Sequence, residues 1–282
     1  MSAESFATGG ERLMCGLAIA GLGITLHCGD PALAAALRQR YRDFPLDGEP
    51  LLTATITLTG QERAAPLYDP ALSFDHGTIR FTTPSYIGSI DVRAGRAELT
   101  ISSAYPLEDI EYFVRVIYAL LAFRAGGLLL HGAGIVRGDR GYLFCGYSGS
   151  GKTTVARLSP DDQVLNDDLV VALPDDDRWL LYATPFWNPT QVRPSGIRCA
   201  PLTALLRLVQ NTTVFLEPMG AGQALAEIIA TVPVLPADPT LSAALLLRGQ
   251  QLLRTTPAYR LHFLPDPSFW PLVETLGQEL GE

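Results

Sequence analysis

The chain has 282 residues, which is enough for one large domain or for two modest ones with a sizeable apolar core. Its net charge of −8 argues against nucleic acid or an anionic membrane as the main partner. The four cysteines (Cys15, Cys28, Cys145 and Cys199) are scattered without C-x-x-C spacing. They predict neither a disulfide framework nor a metal knuckle, and they fit a reducing cytoplasm.

The first apolar stretch, Leu13–Leu26, has the hydrophobicity of a signal peptide but lacks its basic flank, because Glu4 and Glu11 precede it. Its glycines interrupt a helix, so we expect a pair of strands here. The next segment, Pro31–Tyr41, is predicted to be a helix, with Asp30 as its N-cap and proline in the first helical position.

The following segments alternate apolar and polar residues, as half-buried strands do. Leu52–Leu58 is predicted to be a strand, Phe74–Phe81 carries a central turn signal, and Ile90–Ile101 is a hairpin around Ala94-Gly95. Residues 1–104 are therefore expected to form a β-rich N-terminal subdomain.

Residues 105–282 are expected to form the second domain. A helix begins near Pro106 and ends at Gly126-Gly127, and the apolar run Leu128–Val136 follows it. A turn at Gly138-Asp139 then leads into the apolar strand Tyr142–Cys145. Two antiparallel strands pressed together at this point favour a mixed-sheet α/β (α+β) core over a purely parallel one.

The rest of the chain is predicted to be a strand pair followed by mostly helical segments. Gln163–Val171 is read as one strand, and Arg178–Tyr182 is expected to pair back against it. The later segments are predicted as helices at Pro201–Gln210, Gly222–Thr231 and Pro239–Thr255, a short strand at Tyr259–Phe263, and a last helix from Ser268.

The most informative motif is Gly146-Tyr-Ser-Gly-Ser-Gly-Lys-Thr153, which matches G-x-x-x-x-G-K-S/T. Among 21 basic residues the only lysine is Lys152. A compact ammonium can reach between phosphate oxygens, whereas a guanidinium fork is too bulky there. The glycines let backbone N–H groups turn toward phosphates, and the threonine hydroxyl can ligate Mg²⁺. The predicted nucleotide-binding residues are Gly146, Ser148, Gly149, Ser150, Gly151, Lys152, Thr153 and Thr154.

Two adjacent carboxylates, Asp167 and Asp168, follow in the next predicted strand. One can hold Mg²⁺ and the other can accept a proton from an incoming hydroxyl. Because neighbouring side chains of a strand point to opposite faces, a bulge or a strand end is needed if both are to serve. The alternative is a solvated charge pair. However, apolar residues typical of a buried strand flank the two carboxylates, and carboxylates among apolar residues require a cation or a functional role.

Three further residues have two interpretations each. His131, at the end of an apolar strand, is either a core histidine or a group that acts near the γ-phosphate or the acceptor. We expect it on the strand paired to the loop's own strand. Arg193 and Arg198 are either ordinary surface residues or cations that neutralise a transferring phosphoryl group.

Leu130–Gly134, the glycine-rich motif and Asn166–Asp168, taken in this order, resemble the core of bacterial HPr kinase/phosphorylase. That enzyme is related to ATP-dependent phosphoenolpyruvate carboxykinase and shares its P-loop core. The resemblance implies that His131, Lys152 and Asp168 are catalytic, with Asp168 as the base for an acceptor serine. It also implies that Thr153 and Asp167 are on the metal side. The whole plan resembles stand-alone HPr-kinase-like proteins linked to ribosomal-peptide modification.

The expected function is therefore an ATP- and Mg²⁺-dependent transfer of the γ-phosphate to a Ser hydroxyl of a small protein or peptide. The alternatives are a nucleotide-responsive binding module and a plain NTPase, both using the same loop without phosphotransfer. A second carboxylate beside the metal ligand favours transfer, because a pure binding module does not need one. No nucleic-acid or membrane partner is expected, and the sequence does not indicate an oligomeric state.

Overall fold

The computed structural model describes residues 13–63, 71–75, 78–83, 85–186, 192, 194, 196 and 198–276. The chain divides into two compact units, residues 1–121 and residues 122–282. The domain boundary expected after residue 104 stays a prediction. In the described part of the chain, no helix is both long and apolar enough to cross a membrane.

The described residues of the first unit form a seven-stranded mixed sheet with two helices. Its elements are β1 (Met14–Ile19), β2 (Leu22–Cys28), α1 (Pro31–Tyr41), β3 (Leu52–Arg63), β4 (Ala71–Asp75), β5 (Thr78–Thr82), β6 (Tyr86–Asp91), β7 (Arg96–Ser103) and α2 (Pro106–Arg124), the last reaching past residue 121. The strand order is β1-β2-β3-β7-β6-β5-β4. Strands β2, β3 and β7 run parallel, and the other neighbours are antiparallel.

The early elements are confirmed. The apolar stretch after Leu13 forms the hairpin β1–β2. Helix α1 begins where expected, and the Asp30 carboxylate accepts the Leu33 N–H at 2.7 Å, which satisfies one of the free donors of the first turn. The hairpin β6–β7 turns at Gly95, whose φ of 65° lies in the left-handed region that favours glycine.

The second unit is a mixed α/β structure around a nine-stranded sheet. Its elements are β8 (Leu128–His131), β9 (Ala133–Arg137), β10 (Arg140–Cys145), α3 (Lys152–Arg157), β11 (Gln163–Asn166), β12 (Leu169–Asp175), β13 (Arg178–Tyr182), β14 (Cys199–Gln210), β15 (Phe215–Pro218), α4 (Ala221–Thr231), α5 (Ser242–Thr255), β16 (Ala258–Phe263) and α6 (Trp270–Thr275), with 3₁₀ turns at Leu235–Ala237, Pro239–Leu241 and Pro267–Phe269.

Strand β14 joins two parts of this sheet. The loop part has the order β11-β9-β10-β14-β16-β15, and the β12 part has the order β14-β13-β12-β8. Strand β14 runs parallel to β10 and to β16, and only its first residues, Cys199–Pro201, pair with β13. The carboxyl ends of β10, β14 and β16 therefore share one edge.

The hairpin expected around Gly138-Asp139 is confirmed as β9–β10. The apolar run before it is not one strand, because the strand pairing is interrupted at Gly132. A Cβ at this position would lie 2.6 Å from Leu143 Cδ1 and 2.9 Å from the Phe144 carbonyl oxygen. The preceding strand, β8, pairs with β12 instead. The expectation that His131 lies on a strand paired to the loop's own strand is therefore wrong.

The segment Gln163–Val171 is also two strands rather than one. Strand β11 pairs with β9 in the loop part, whereas β12 pairs with β8 and β13 in the β12 part. The chain passes from the loop part of the sheet to the β12 part at Asp167-Asp168. This point lies beside the interruption at Gly132, because the Gly132 N–H donates to the Asp168 carbonyl at 2.8 Å. Apolar residues lie on both sides of Asp167-Asp168, so the sequence pattern predicts one continuous strand.

The segment Pro201–Gln210, expected as a helix, is most of strand β14. Its consecutive residues Ala204, Leu205 and Leu206 are all fully buried. A central strand that is covered on both faces is apolar throughout, so its residues show no alternation, and Leu and Ala are also good helix formers. The helices expected at Gly222–Thr231 and Pro239–Thr255 are present with small changes of boundary, as is the strand near Tyr259.

Candidate nucleotide-binding site

A glycine-rich loop joins the end of β10 to the start of α3, in the order strand, loop, helix that the motif predicts. Gly151 is the N-cap of α3 with φ 111°, and a Cβ there would lie 2.6 Å from the Phe263 ring. Gly146 has φ 151°, and a Cβ there would lie 2.6 Å from Ser150 Oγ. Gly151 has no side chain to cap the helix, and an anion at this end could accept hydrogen bonds from the first N–H groups.

Lys152 is the first residue of α3, and its ammonium lies inside the loop. Nζ donates to the carbonyl oxygens of Gly146 at 2.9 Å and Tyr147 at 3.2 Å. Burial lowers the pKa of Lys152, and the nearby Asp168 carboxylate opposes that change most strongly. The side chain is thus held, partly desolvated, between the loop and the two carboxylates. A desolvated cation interacts more strongly with an anion than a solvated one does.

A buried asparagine organises the chain between β11 and β12. Asn166 accepts the N–H groups of Asp168 at 2.7 Å and Leu169 at 2.9 Å through its side-chain oxygen. Its amide nitrogen donates to the Thr184 carbonyl at 3.1 Å, and the Thr184 hydroxyl donates to the Leu169 carbonyl at 2.5 Å. These bonds replace the ladder bonds that a continuous strand would make. They end β11 so that the two carboxylates are no longer constrained to opposite faces of one strand.

Asp167 is 1% exposed, and among the described residues neither carboxylate oxygen has a hydrogen-bond partner of good geometry. Burial raises the pKa of Asp167, while the nearby Thr153 hydroxyl and the Val192 N–H act to lower it. A buried carboxylate without partners is costly, so such groups usually bind a cation. The Thr153 hydroxyl and the Asp167 carboxylate are therefore a suitable pair of oxygen ligands.

Asp168 faces the solvent more than Asp167 does, with 15% of its side chain exposed. The His131 Nε2 atom lies 3.3 Å from Asp168 Oδ1, and the histidine side chain is 49% exposed. In this arrangement the imidazole can orient the carboxylate, and a substrate can approach both groups. The structure thus brings together His131, Lys152, Thr153, Asp167 and Asp168, although they come from three separate segments.

The remaining expected residues lie as follows. Ser148 and Gly149 are on the exposed tip of the loop, and Thr154 is in the first turn of α3. Arg198 is exposed, and its carbonyl accepts the Ala183 N–H at 2.8 Å. Among the described residues, no hydrogen bond or ion pair joins the Arg198 guanidinium to the loop or the carboxylates. Arg193 lies outside the described residues.

The sequence reasoning missed two residues of β14 that contact the loop. The Arg207 guanidinium lies 4.6 Å from the centre of the Tyr147 ring and forms an ion pair with Glu227 at 3.0 Å. The Gln210 amide donates to the Gly149 carbonyl at 3.0 Å. Assigning this segment to a helix hid both contacts. The interruption of a nearly all-apolar run by Arg207 was the available signal.

The chain matches no family model and no curated protein. Among solved structures, it is similar to the HPr(Ser) kinase/phosphatase from Coxiella burnetii, with 14% identity over 54% of this chain and 95% of that chain. The TM-score is 0.28, too low for this similarity to support a fold or a function. The resemblance to HPr kinase/phosphorylase that the motifs indicate stays a prediction.

Proposed function

We propose that this protein is an ATP- and Mg²⁺-dependent phosphotransferase of the HPr-kinase-like type, which moves the γ-phosphate to a Ser hydroxyl of a small protein or peptide. The observation that supports this most is the grouping of three charged side chains at one glycine-rich loop. Lys152 is a buried cation, Asp167 is a buried carboxylate whose oxygens have no hydrogen bond of good geometry among the described residues, and Asp168 is a more accessible carboxylate.

The loop and Lys152 would bind and orient the phosphate chain. The N–H groups at the start of α3 would donate to phosphate oxygens, and the ammonium would supply positive charge where charge develops on the phosphoryl oxygens. Partial burial strengthens this interaction and limits the approach of water to the transferring group. A guanidinium in this position would have to displace the loop carbonyls that now surround Nζ.

The residues present fit one Mg²⁺ ion. No group of three or more His, Cys, Asp or Glu side chains that could hold a metal occurs among the described residues. This is compatible with Mg²⁺, which is usually held by one or two protein oxygens together with phosphate oxygens and water. Thr153 and Asp167 would supply the protein oxygens. When bound, the ion would neutralise charge on the β- and γ-phosphates.

Asp168 would act as the base. As the serine oxygen forms its bond to the γ-phosphorus, the bond from that phosphorus to the β–γ bridging oxygen breaks and ADP leaves. The serine proton passes to the Asp168 carboxylate. His131, 3.3 Å away, would hold that carboxylate in the orientation that receives the proton.

The test is a transfer assay with the small proteins and peptides encoded beside this gene. Each is incubated with the full-length chain, Mg²⁺ and ATP labelled at the γ-phosphate, and phosphoserine is located by mass spectrometry. We expect Mg²⁺-dependent label on one acceptor, and none with Lys152→Ala. ATP binding without label on any acceptor would favour a nucleotide-responsive module. Release of phosphate at the same rate with and without acceptors would favour a plain NTPase.

A further inference from the structure

The position of the carboxylates determines which side of the loop the nucleoside can occupy. In the loop part of the sheet, Asp167 and Asp168 follow β11, on one side of β10. Strands β14 and β16 lie on the other side. If the γ-phosphate faces the carboxylates, the other end of the phosphate chain extends toward β14 and β16. This step rests on the proposed function.

The carboxyl ends of β14 and β16 contact the loop. Gln210, the last residue of β14, holds the Gly149 carbonyl at 3.0 Å, and Phe263, the last residue of β16, packs under Gly151. Strands β10, β14 and β16 are parallel, and ligands of open α/β sheets bind outside the carboxyl ends of such strands. The next residues along this edge are therefore candidates for contact with the nucleoside.

An aromatic pair lies at this edge. Its histidine, His262, directly precedes Phe263 in β16, so the pair lies on the opposite face of the sheet from the Phe263 side chain. Phe215 at the start of β15 is directly opposite His262 of β16, and the two rings stack with centroids 4.0 Å apart and planes 8° from parallel. Phe215 is 41% exposed, whereas the His262 side chain is only 14% exposed. The pair therefore presents the phenyl ring, and not the imidazole, to the solvent.

Polar neighbours contact the His262 ring that stacks on Phe215. Asn211, the residue after Gln210, lies with Nδ2 3.1 Å from His262 Nδ1. On the other side of the ring, Glu217 Oε2 lies 3.5 Å from Nε2, and Arg260 holds both oxygens of Glu217 at 3.2 and 3.1 Å. A planar ligand benefits from a ring that is already positioned and partly exposed, because little entropy is lost on stacking.

We propose that Phe215, backed by His262, is the stacking platform for the nucleobase of the phosphate donor. The phosphate chain would cross from this edge over the loop to Asp167 and Asp168. Stacking on an aromatic face tolerates any base, so the platform supplies affinity for a nucleotide over inorganic phosphates rather than a choice among bases. Tyr147 is the competing ring, since it is 72% exposed and lies on the loop itself.

The experiment compares Mg–ATP with Mg–tripolyphosphate, which carries the phosphates without a nucleoside, by calorimetric titration of the full-length protein. Phe215→Ala should weaken ATP binding by about tenfold or more and leave tripolyphosphate binding unchanged. Phe215→Leu keeps an apolar side chain and should show the same loss, whereas Phe215→Trp should retain ATP affinity. Leu247→Ala is the matched control, because Leu247 is 60% exposed on α5 of the same unit.

The outcomes separate the two proposals. If wild type binds both ligands but Phe215→Ala binds ATP normally, or loses both ligands equally, the platform is not at Phe215. If Tyr147→Ala alone lowers ATP affinity without affecting tripolyphosphate, the platform is on the loop. If wild type binds neither ligand, both the platform and the proposed function are wrong. Circular dichroism of each variant establishes that a loss of binding is not a loss of folding.

Discussion

The two units of this protein use their sheets differently. In the first unit all seven strands belong to one sheet, and the chain reverses in hairpins or crosses over between parallel strands. In the second unit the chain leaves one part of the sheet for the other at Gly132 and again at Asp167-Asp168. The candidate catalytic residues lie at these two breaks and at the loop after β10. Chemistry-bearing side chains therefore collect where the strand pairing is interrupted.

The physical reason lies in strand geometry. A regular strand directs adjacent side chains to opposite faces, so it cannot offer two neighbouring carboxylates to one ligand. A break removes that restriction, but it leaves backbone groups without ladder partners, and those groups need other hydrogen bonds. Asn166 and Thr184 supply them here. Substitutions that remove these hydrogen bonds, or the carboxylates that they position, test this difference between the two units.

The largest effect is expected at Lys152. Lys152→Ala should reduce kcat/KM for phosphotransfer on the order of 10²–10³-fold or more, because it removes a positioned charge from the phosphate site. Lys152→Arg should fail as well, because the guanidinium does not fit among the loop carbonyls. Calorimetry with a non-hydrolysable ATP analogue and Mg²⁺ measures binding directly. Near-normal turnover in Lys152→Arg would show that charge alone suffices.

The next largest effect is expected at Asp168. Asp168→Asn should slow transfer to the acceptor on the order of 10²–10⁴-fold, because an amide cannot accept the serine proton. Mg–ATP affinity should stay largely intact, because the metal-side carboxylate is Asp167. The check is a comparison of kcat for transfer with the dissociation constant of Mg–ATP. If the variant transfers phosphate normally, Asp168 is not the base.

The sequence indicated which side chains lie together better than it indicated the sheet that supports them, and the role of these side chains as a site stays a prediction. The loop, Lys152 and the carboxylate pair were found because their residue types and spacing carry chemistry. Strand geometry alone indicated that both carboxylates could serve one ligand only if a bulge or a strand end lay at Asp167-Asp168. The breaks at Gly132 and Asp167-Asp168 were not located, because apolar residues continue across both. Which strand pairs with which is a long-range property, and local patterns do not record it.

The third prediction compares one buried hydrogen-bonding side chain from each unit. Asn166→Ala removes bonds to two N–H groups and one carbonyl at the break, so it should destabilise the protein by about 2–4 kcal/mol. Tyr118→Phe removes a hydroxyl within donating distance of the carbonyl oxygens of Leu17 (3.1 Å) and Leu22 (2.9 Å). This substitution should lower the free energy of unfolding by about 1 kcal/mol.

Function distinguishes this pair further. Asn166→Ala should also lower the transfer rate, because the carboxylates lose their positions, whereas Tyr118→Phe should leave Mg–ATP affinity and transfer unchanged. Calorimetric melting and the transfer assay at a temperature where both variants are folded provide the two readouts. Equal functional losses in the two variants would remove the distinction between the break and the regular sheet.

The last expected effect has the opposite sign. Asp167 is buried, its oxygens have no hydrogen bond of good geometry among the described residues, and burial raises its pKa above the ordinary value of 3.8 against the opposing effect of the Thr153 hydroxyl. The folded state therefore binds this proton more tightly than the unfolded state does. At neutral pH the ionised carboxylate reduces stability, and the reduction disappears as the pH falls through the raised pKa toward the unfolded value. Asp167→Asn should thus stabilise the metal-free, nucleotide-free protein by about 1–3 kcal/mol at pH 7 to 8.

This gain should shrink as the pH is lowered, because the carboxyl group of the wild type then becomes neutral in the folded state. Adding Mg–ATP should make wild type more stable than Asp167→Asn. The ligand would stabilise wild type more, because the amide of the variant is a poor Mg²⁺ ligand. Thermal unfolding across pH with EDTA, and again with Mg²⁺ and the ATP analogue, measures both effects. If Asp167→Asn is less stable than wild type at every pH without metal, the carboxylate has a partner within the protein, and its assignment to the metal side is wrong.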